Sequence, residues 1–170
     1  MLDESAIREF VQADYPRLVG ALAAICGNRA AAEDAMQEAL ARAWERSDRG
    51  ERIDSLKAWV MVVSLNLTRS GLRRLRAERR ARQRIAPDVT RVDLEAGERV
   101  DLQRALSGLP RRHREAIVLR YYLDLDVREI AFALHVPEGT VKSDLYRART
   151  SLARALGDHD LEEVTGRDEA

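Results

Sequence analysis

A single cysteine, Cys26, stands in a chain of 170 residues, so no internal disulfide can form. That excludes the disulfide-stapled scaffolds of small secreted proteins. In the apolar context "LAAICGN" Cys26 reads as a small buried hydrophobe. The three histidines, His113, His135 and His159, are dispersed, and with one cysteine they make no zinc-ligand spacing. No nucleophile–base pairing and no phosphate-cradling glycine loop is present either, so catalytic residues, metals and cofactors are not expected. Aromatic residues make up only 5% of the chain, against 45% apolar residues overall. That balance suits helices packed through Ala, Leu and Val better than a β-sandwich. No apolar run approaches the length of a bilayer, and the N-terminus lacks a charged-then-apolar signal pattern. A soluble, cytoplasmic protein without membrane insertion is the expectation.

Excess charge of either sign is also missing: 29 basic residues balance 29 acidic ones. The balance hides segregation. Residues 69–84, "RSGLRRLRAERRARQR", hold eight Arg against the single Glu78, whereas residues 158–169 hold six acids against Arg167. Such a layout gives a basic strip able to meet a polyanion, with acidic surfaces elsewhere.

What remains is almost entirely periodic at helical spacing. Ile7, Phe10, Val11, Leu18, Val19, Leu22 and Ile25 form an apolar stripe interrupted by Pro16. The stripe predicts two helices, or one kinked helix, ending at Gly27-Asn28. From about Ala30 to Ser47, one face carries Ala35, Met36, Ala39, Leu40, Ala43 and Trp44. The opposite face carries Glu33, Asp34, Gln37, Glu38, Arg42 and Glu45. The polar stretch "SDRGERIDS" (47–55) reads as a loop, after which Ser55 can cap a long helix through Leu56, Trp59, Val60, Val63 and Leu67 into the arginine strip. Periodicity fails between about Ile85 and Gly97, which predicts a flexible linker. A second helical unit follows, with Leu102, Ala105, Leu106 and Leu109 on a short helix and Pro110 opening the next.

Asp126 followed by Glu129 predicts a capped helix start, with Ile130, Ala131 and Leu134 facing inward. The turn "HVP" then leads to Val141, Leu145, Ala148 and Leu152, an inward stripe at i, i+4, i+7 and i+11. This is the helix-turn-helix pattern. His135 takes the turn position that favours a left-handed backbone, where His is among the tolerated residues. With Val141 set inward, Ser143, Tyr146 and Arg147 point outward, Lys142 lies on one flank and Asp144 on the other, nearer the buried stripe. On that flank Asp144 need not point at bases; it can pair with Arg147 or Arg128, or accept from a cytosine amino group.

Two segments carry a resemblance. "AEDAMQEALARAW" (32–44) with "KAWVMVVSLNLTRSGLRRLRAERR" (57–80) resembles the core of bacterial sigma factors. "LPRRHREAIVLRYYLDLDVREIAFALHVPEGTVKSDLYRARTSLARAL" (109–156) resembles their C-terminal domain. Order, spacing and short linker look like the extracytoplasmic-function (ECF) class, which keeps only regions 2 and 4. The resemblance implies an all-α chain of two small helical domains, region 2 over 1–84 and region 4 over 99–156, with a linker at 85–98 and an acidic tail at 157–170. It implies no enzyme, but a factor that binds core RNA polymerase, recognises −35 and −10 promoter elements and promotes initiation.

By the same resemblance, Asp34, Gln37, Glu38 and Arg42 would dock on the clamp helices of the polymerase β′ subunit, with region 4 meeting the β flap. Asn66, Arg69, Arg73, Arg74 and Arg76 would serve the −10 element, with Arg79 and Arg80 tracking phosphates. The loop from about Asp48 to Leu56 would accept a flipped base through Arg49, Glu51, Arg52 and Asp54. Trp59 would pack inside. Lys142, Ser143, Tyr146 and Arg147 would face the −35 element, with Arg149 on phosphate. An anti-sigma factor is a further expected partner.

The family often has Arg at Leu65, Asp at Ser70, a bulky residue at Gly71 and Arg at Asp144. These departures bear on promoter sequence, and Asp144 would weaken phosphate attraction. Two other readings compete. A stand-alone helix-turn-helix repressor gives no reason for the 32–44 motif. A sigma mimic that titrates a regulatory protein draws support from Ser70, Gly71 and Asp144, against the intact arginine strip.

Overall fold

Local chemistry sets the helix ends. In the computed structural model of the chain, the backbone is described for residues 4–82 and 98–156, and side chains for these except Ala6, 72–82 and 98–101. The described residues form helices joined by turns, with no strand among them. Four helices precede the linker region: α1 (Glu4–Ala13), α2 (Tyr15–Cys26), α3 (Arg29–Asp48) and α4 (Leu56–Arg82). Four follow it: α5 (Glu98–Gly108), α6 (Arg111–Tyr121), α7 (Val127–Leu134) and α8 (Glu138–Leu156). The chain divides into two compact units, Met1–Val92 and Asp93–Ala170. The all-α architecture expected from composition and periodicity is therefore observed. The expected linker lies outside the described residues except for Glu98, which opens α5, and the acidic tail from 157 lies outside them too.

In the N-terminal unit the break at Pro16 resolves into two helices, with the proline in the first turn of α2, where its missing N–H costs nothing. Lys57 reaches back from α4 to the junction, its Nζ 2.8 Å from Asp14 Oδ1. Gly27 ends α2 in the left-handed region at φ 76° and donates its N–H to Ala23 O. A side chain would be strained there. Asn28 returns to an extended backbone, and its Oδ1 accepts from Ala31 N at 2.9 Å, capping α3. Ser55 Oγ accepts from Ala58 N at 3.3 Å and caps α4 as expected.

The core gathers Phe10, Leu18, Val19, Leu22, Ile25, Met36, Val60, Met61 and Leu65, where α3 packs on α2 and α4. Leu65 is 0% exposed, so its departure from the family's common Arg is a packing residue and not a lost surface charge. The buried Ser64 and Thr68 hydroxyls donate within α4 to Met61 O and Leu65 O, which satisfies them. Two expectations need correction. Val11 is exposed because Phe10 takes the inward position on α1. Cys26 is only half-buried, and its Sγ donates to Asn28 O at 3.1 Å, so it belongs to the turn as much as to the core.

In the C-terminal unit α5, α6 and α7 each pack on α8. Arg114 donates to Leu109 O at 3.2 Å and Ser107 O at 3.4 Å, closing the end of α5. Arg120 donates to Leu125 O at 3.1 Å and secures the connection to α7. The predicted cap of α7 is a full capping box: Asp126 Oδ1 accepts from Glu129 N at 2.7 Å, and Glu129 Oε2 accepts from Asp126 N at 2.8 Å. His135 adopts φ 55° and ψ 50°, the left-handed geometry its position required. Leu102 departs from the expected inward stripe at 45% exposure; Leu106 and Leu109 carry the burial of α5.

Gly71 sits inside α4 with open space where a Cβ would stand. Gly71→Ala therefore adds helix propensity without a clash and should raise stability by about 0.5–1 kcal/mol. Urea denaturation followed by tryptophan fluorescence checks this, since both tryptophans belong to the N-terminal unit.

Candidate docking and nucleic-acid interfaces

The first candidate surface lies on α3. Asn28 fixes where the helix starts, and Ala32, Ala35, Met36, Ala39, Ala43 and Ser47 are all buried on its inner side. At about 100° per residue this turns Asp34, Gln37, Glu38 and Arg42 toward solvent, and all four are exposed. The structure thus brings the four predicted residues onto one solvated face. Arg42 Nε lies 2.8 Å from Glu38 Oε1, an i,i+4 pair that orders both side chains. Trp44 corrects the expectation that it backs this face from inside. It is 46% exposed, because Ala43 and Ser47 hold the inward positions and leave Trp44 on the flank.

On α4, Asn66 is half-buried and its Oδ1 accepts from Arg69 Nη1 at 3.4 Å, so the two predicted residues stand side by side. Arg73, Arg74 and Arg76 belong to the backbone of α4, but their side chains lie outside the described residues, as do those of Arg79 and Arg80. Ser70 and Gly71 are exposed. Trp59 is half-buried, in the intermediate position its inward assignment approximates. The loop before α4 turns at Gly50, φ 79°. Its charges pair locally, with Arg46–Glu51 at 3.0 Å, Arg49–Glu51 at 3.6 Å and Arg52–Asp54 at 2.7 Å.

The third surface is the outer side of α8. Val141, Leu145, Ala148 and Leu152 are buried as the spacing predicted. Lys142, Ser143, Tyr146 and Arg147 are exposed, Tyr146 at 66%. Ser143 Oγ donates to Thr140 O at 2.9 Å. Arg149 is half-buried, and its Nη1 donates to Tyr121 Oη of α6 at 3.3 Å.

Asp144 lies inward, as its place beside the buried stripe suggested, but with a different partner. It pairs with neither Arg147 nor Arg128; it is 6% exposed, and its Oδ1 lies 3.6 Å from His113 Nε2 on α6. Its angular offset from Val141 is only about 60°, inside the sector that α6 covers. Its carboxyl is turned toward α6 and away from the outer surface of α8. His113 and Tyr121 were not singled out from the sequence as partners of α8, since neither contact has a local spacing signal. Among the described residues no His, Cys, Asp and Glu cluster could hold a metal ion. No helix among them is long and apolar enough to cross a membrane.

These faces belong to a known class. Residues 10–78 match the family described as sigma-70 region 2, and residues 99–152 match sigma-70 region 4. The ECF RNA polymerase sigma factor SigL of Mycobacterium tuberculosis is 30% identical over 78% of this chain and 78% of its own length. SigW of Bacillus subtilis, also an ECF RNA polymerase sigma factor, is 27% identical over 92% of this chain and 91% of its own. A solved structure of the sigma factor RpoE from Bartonella quintana, in complex with the anti-sigma factor NepR, superposes with a TM-score of 0.75 at 25% identity. That match covers 93% of this chain and 99% of the other. The chain belongs to the ECF class of sigma-70 family RNA polymerase sigma factors.

The Glu38–Arg42 pair is about half exposed on both sides, so Glu38→Gln should change folding stability by less than about 0.5 kcal/mol. Urea melts of the two proteins should overlay within that margin, which makes any binding loss at this position a report on docking.

Proposed function

We propose that this sigma factor divides its work among three helices: α3 docks on core RNA polymerase, α4 serves the −10 element and α8 reads the −35 element. The observation that supports this reading best is the exposed α3 face of Asp34, Gln37, Glu38 and Arg42, held by a buried inner stripe. A rigid helix presenting carboxylates and an amide complements a basic coiled coil such as the β′ clamp helices. Trp44 extends the same face with an aromatic surface of the kind that dominates interface energetics. Asn66 and Arg69, continuing into Arg73, Arg74 and Arg76, follow the upstream −10 region, where guanidinium groups meet phosphates. On α8, Lys142, Ser143, Tyr146 and Arg147 reach base edges of the −35 element, and Arg149 meets a phosphate from its Tyr121-bound position.

In this reading the chain has no catalytic activity of its own and works in the cytoplasm, where the polymerase is. Each DNA interface is modest, and polymerase couples them through effective concentration, so free protein binds promoters weakly. The β flap is the second polymerase contact, through region 4. An anti-sigma factor fits as a regulatory partner, supported by the related RpoE solved with NepR. The sigma-mimic reading draws less from Asp144, which is turned toward His113 instead of standing on the outer face of α8.

In-vitro transcription with purified core enzyme and genomic DNA fragments tests the proposal. Wild type should initiate. Asp34→Arg with Glu38→Arg should weaken core binding about a hundredfold, because like charges then face each other across the interface. Arg147→Ala should spare core binding and lower use of −35-dependent promoters by about tenfold, the worth of one good base contact. Initiation unchanged by the double charge reversal would remove the docking assignment.

A further inference from the structure

Asp144 stands in the middle of the reading helix yet points into the unit, and this position is not explained by folding stability. A carboxyl group costs free energy to bury, and replacing a buried polar pair by well-packed apolar side chains is often neutral or stabilising. Here the pairing is incomplete as well: Asp144 Oδ2 and His113 Nδ1 are both buried without a hydrogen-bond partner. The rest of the inner stripe, Val141, Leu145, Ala148 and Leu152, makes apolar contacts. Those contacts are non-directional and tolerate a small roll or slide of one helix on another. The His113–Asp144 approach, at 3.6 Å, is longer than a hydrogen bond but is a polar contact confined to one point of the interface, and the best-attested structural use of such a buried polar pair is to select one register among several of similar packing energy.

We infer that the His113–Asp144 contact is a positioning element that fixes the roll of α8 on α6, and thereby where Lys142, Tyr146 and Arg147 meet the −35 element. Asp144 lies within one turn of all three, so a rotation about the helix axis that breaks its contact with His113 carries their side chains with it. Their tips lie farther from the axis than Asp144 and move farther. A second tie between the same helices supports the assignment: Arg149 Nη1 donates to Tyr121 Oη at 3.3 Å. Two polar contacts at different heights along α6 define both roll and slide, which the apolar stripe alone leaves soft. His113 and Asp144 touch no DNA in this scheme; they act through the exposed residues. The inference rests on the proposed −35 role of α8.

The test uses holoenzyme assembled from the full chain and core polymerase, on two templates. One promoter depends on its −35 element; the other lacks that element and carries a pre-melted bubble at the start site. His113→Leu combined with Asp144→Leu should keep or raise the melting temperature of the chain. It should leave initiation on the bubble template unchanged and lower −35-dependent initiation about tenfold. Asp144→Asn and His113→Gln, which keep polar groups of similar size, should each retain a larger share of −35 use than the double leucine variant. They also carry the test if the double variant does not fold. Equal losses on both templates, or full −35 use by folded leucine, asparagine and glutamine variants, overturn the inference. Arg147→Ala, run beside them, separates the two ideas. If it loses −35 use while the His113 and Asp144 variants do not, only the positioning role falls. If it too loses nothing, the −35 assignment falls and takes the positioning role with it.

Discussion

Ala32, Ala35, Met36, Ala39 and Ala43 are buried where α3 packs on α2 and α4, and most of what the N-terminal unit presents follows from that contact. Small side chains let helices approach closely, so the orientation of α3 is set near its backbone and not through long flexible side chains. Once the inner stripe is fixed, the outer face is fixed with it. A rotation by one residue, about 100°, would turn Asp34 or Glu38 from the centre of the solvent face to its edge. The C-terminal unit uses the same device with larger residues, since Val141, Leu145, Ala148 and Leu152 hold α8 while Tyr146 and Arg147 face outward. Asp34, Gln37, Glu38 and Arg42 on α3, and Lys142, Ser143, Tyr146 and Arg147 on α8, are exposed. Their identity is thus free to follow a partner's chemistry.

Charge plays two different parts in this structure. The surface pairs Arg8–Glu4, Arg29–Glu33 and Arg42–Glu38 are i,i+4 helix pairs, each contributing a few tenths of a kcal/mol at most. They order helix surfaces and keep the chain near neutrality without deciding the fold. Among the described residues the buried carboxyl groups are Glu115 and Asp144; both belong to the C-terminal unit and both face residues of α6. Arg111 lies 3.3 Å from Glu115, and His113 lies 3.6 Å from Asp144. Glu115 lies on α6 and Asp144 on α8 against it, so the polar groups with a large desolvation cost gather at or beside the helix that supports α8. Such a concentration suits a need for defined geometry better than a need for stability.

Helix ends and inner stripes were legible in the sequence because their causes are local. Gly27-Asn28, Ser55, the Asp126–Glu129 box and the left-handed His135 each follow from backbone chemistry within four residues. The stripes follow from a period that any amphipathic helix must obey. Trp44 and Leu65 were not legible, and they share a reason. Whether such a residue is covered depends on which element lies beside it, and a period does not say that. Ala43 and Ser47 leave Trp44 outside, and the packing of α3 and α4 takes Leu65 in. For Asp144 the period gives a place beside the buried stripe, and only its partner His113 on α6 was not legible. The division into two units was legible from the collapse of periodicity after Ile85.

Comparing residue identities with a family treats every departure as a change at the site where the family acts. Burial sorts the departures differently. Leu65 and Asp144 sit inside their units, so a common arginine replaced at either place alters packing before it alters any surface. An arginine at Leu65 would need room and a partner inside a core of Leu, Val and Met, which implies that relatives carrying it pack α4 somewhat differently. Ser70 and Gly71 are exposed on α4, the helix proposed to serve the −10 element, and on that reading they change what it offers to DNA. If this chain prefers promoters unlike those of its relatives, the direct cause in the N-terminal unit lies at Ser70 and Gly71. In the C-terminal unit, on the proposed positioning role of His113 and Asp144, it lies in the angle at which the outward residues are held. The same outer residues can then read a different sequence, because a shift of a fraction of an ångström decides which base edge a guanidinium or a hydroxyl can meet.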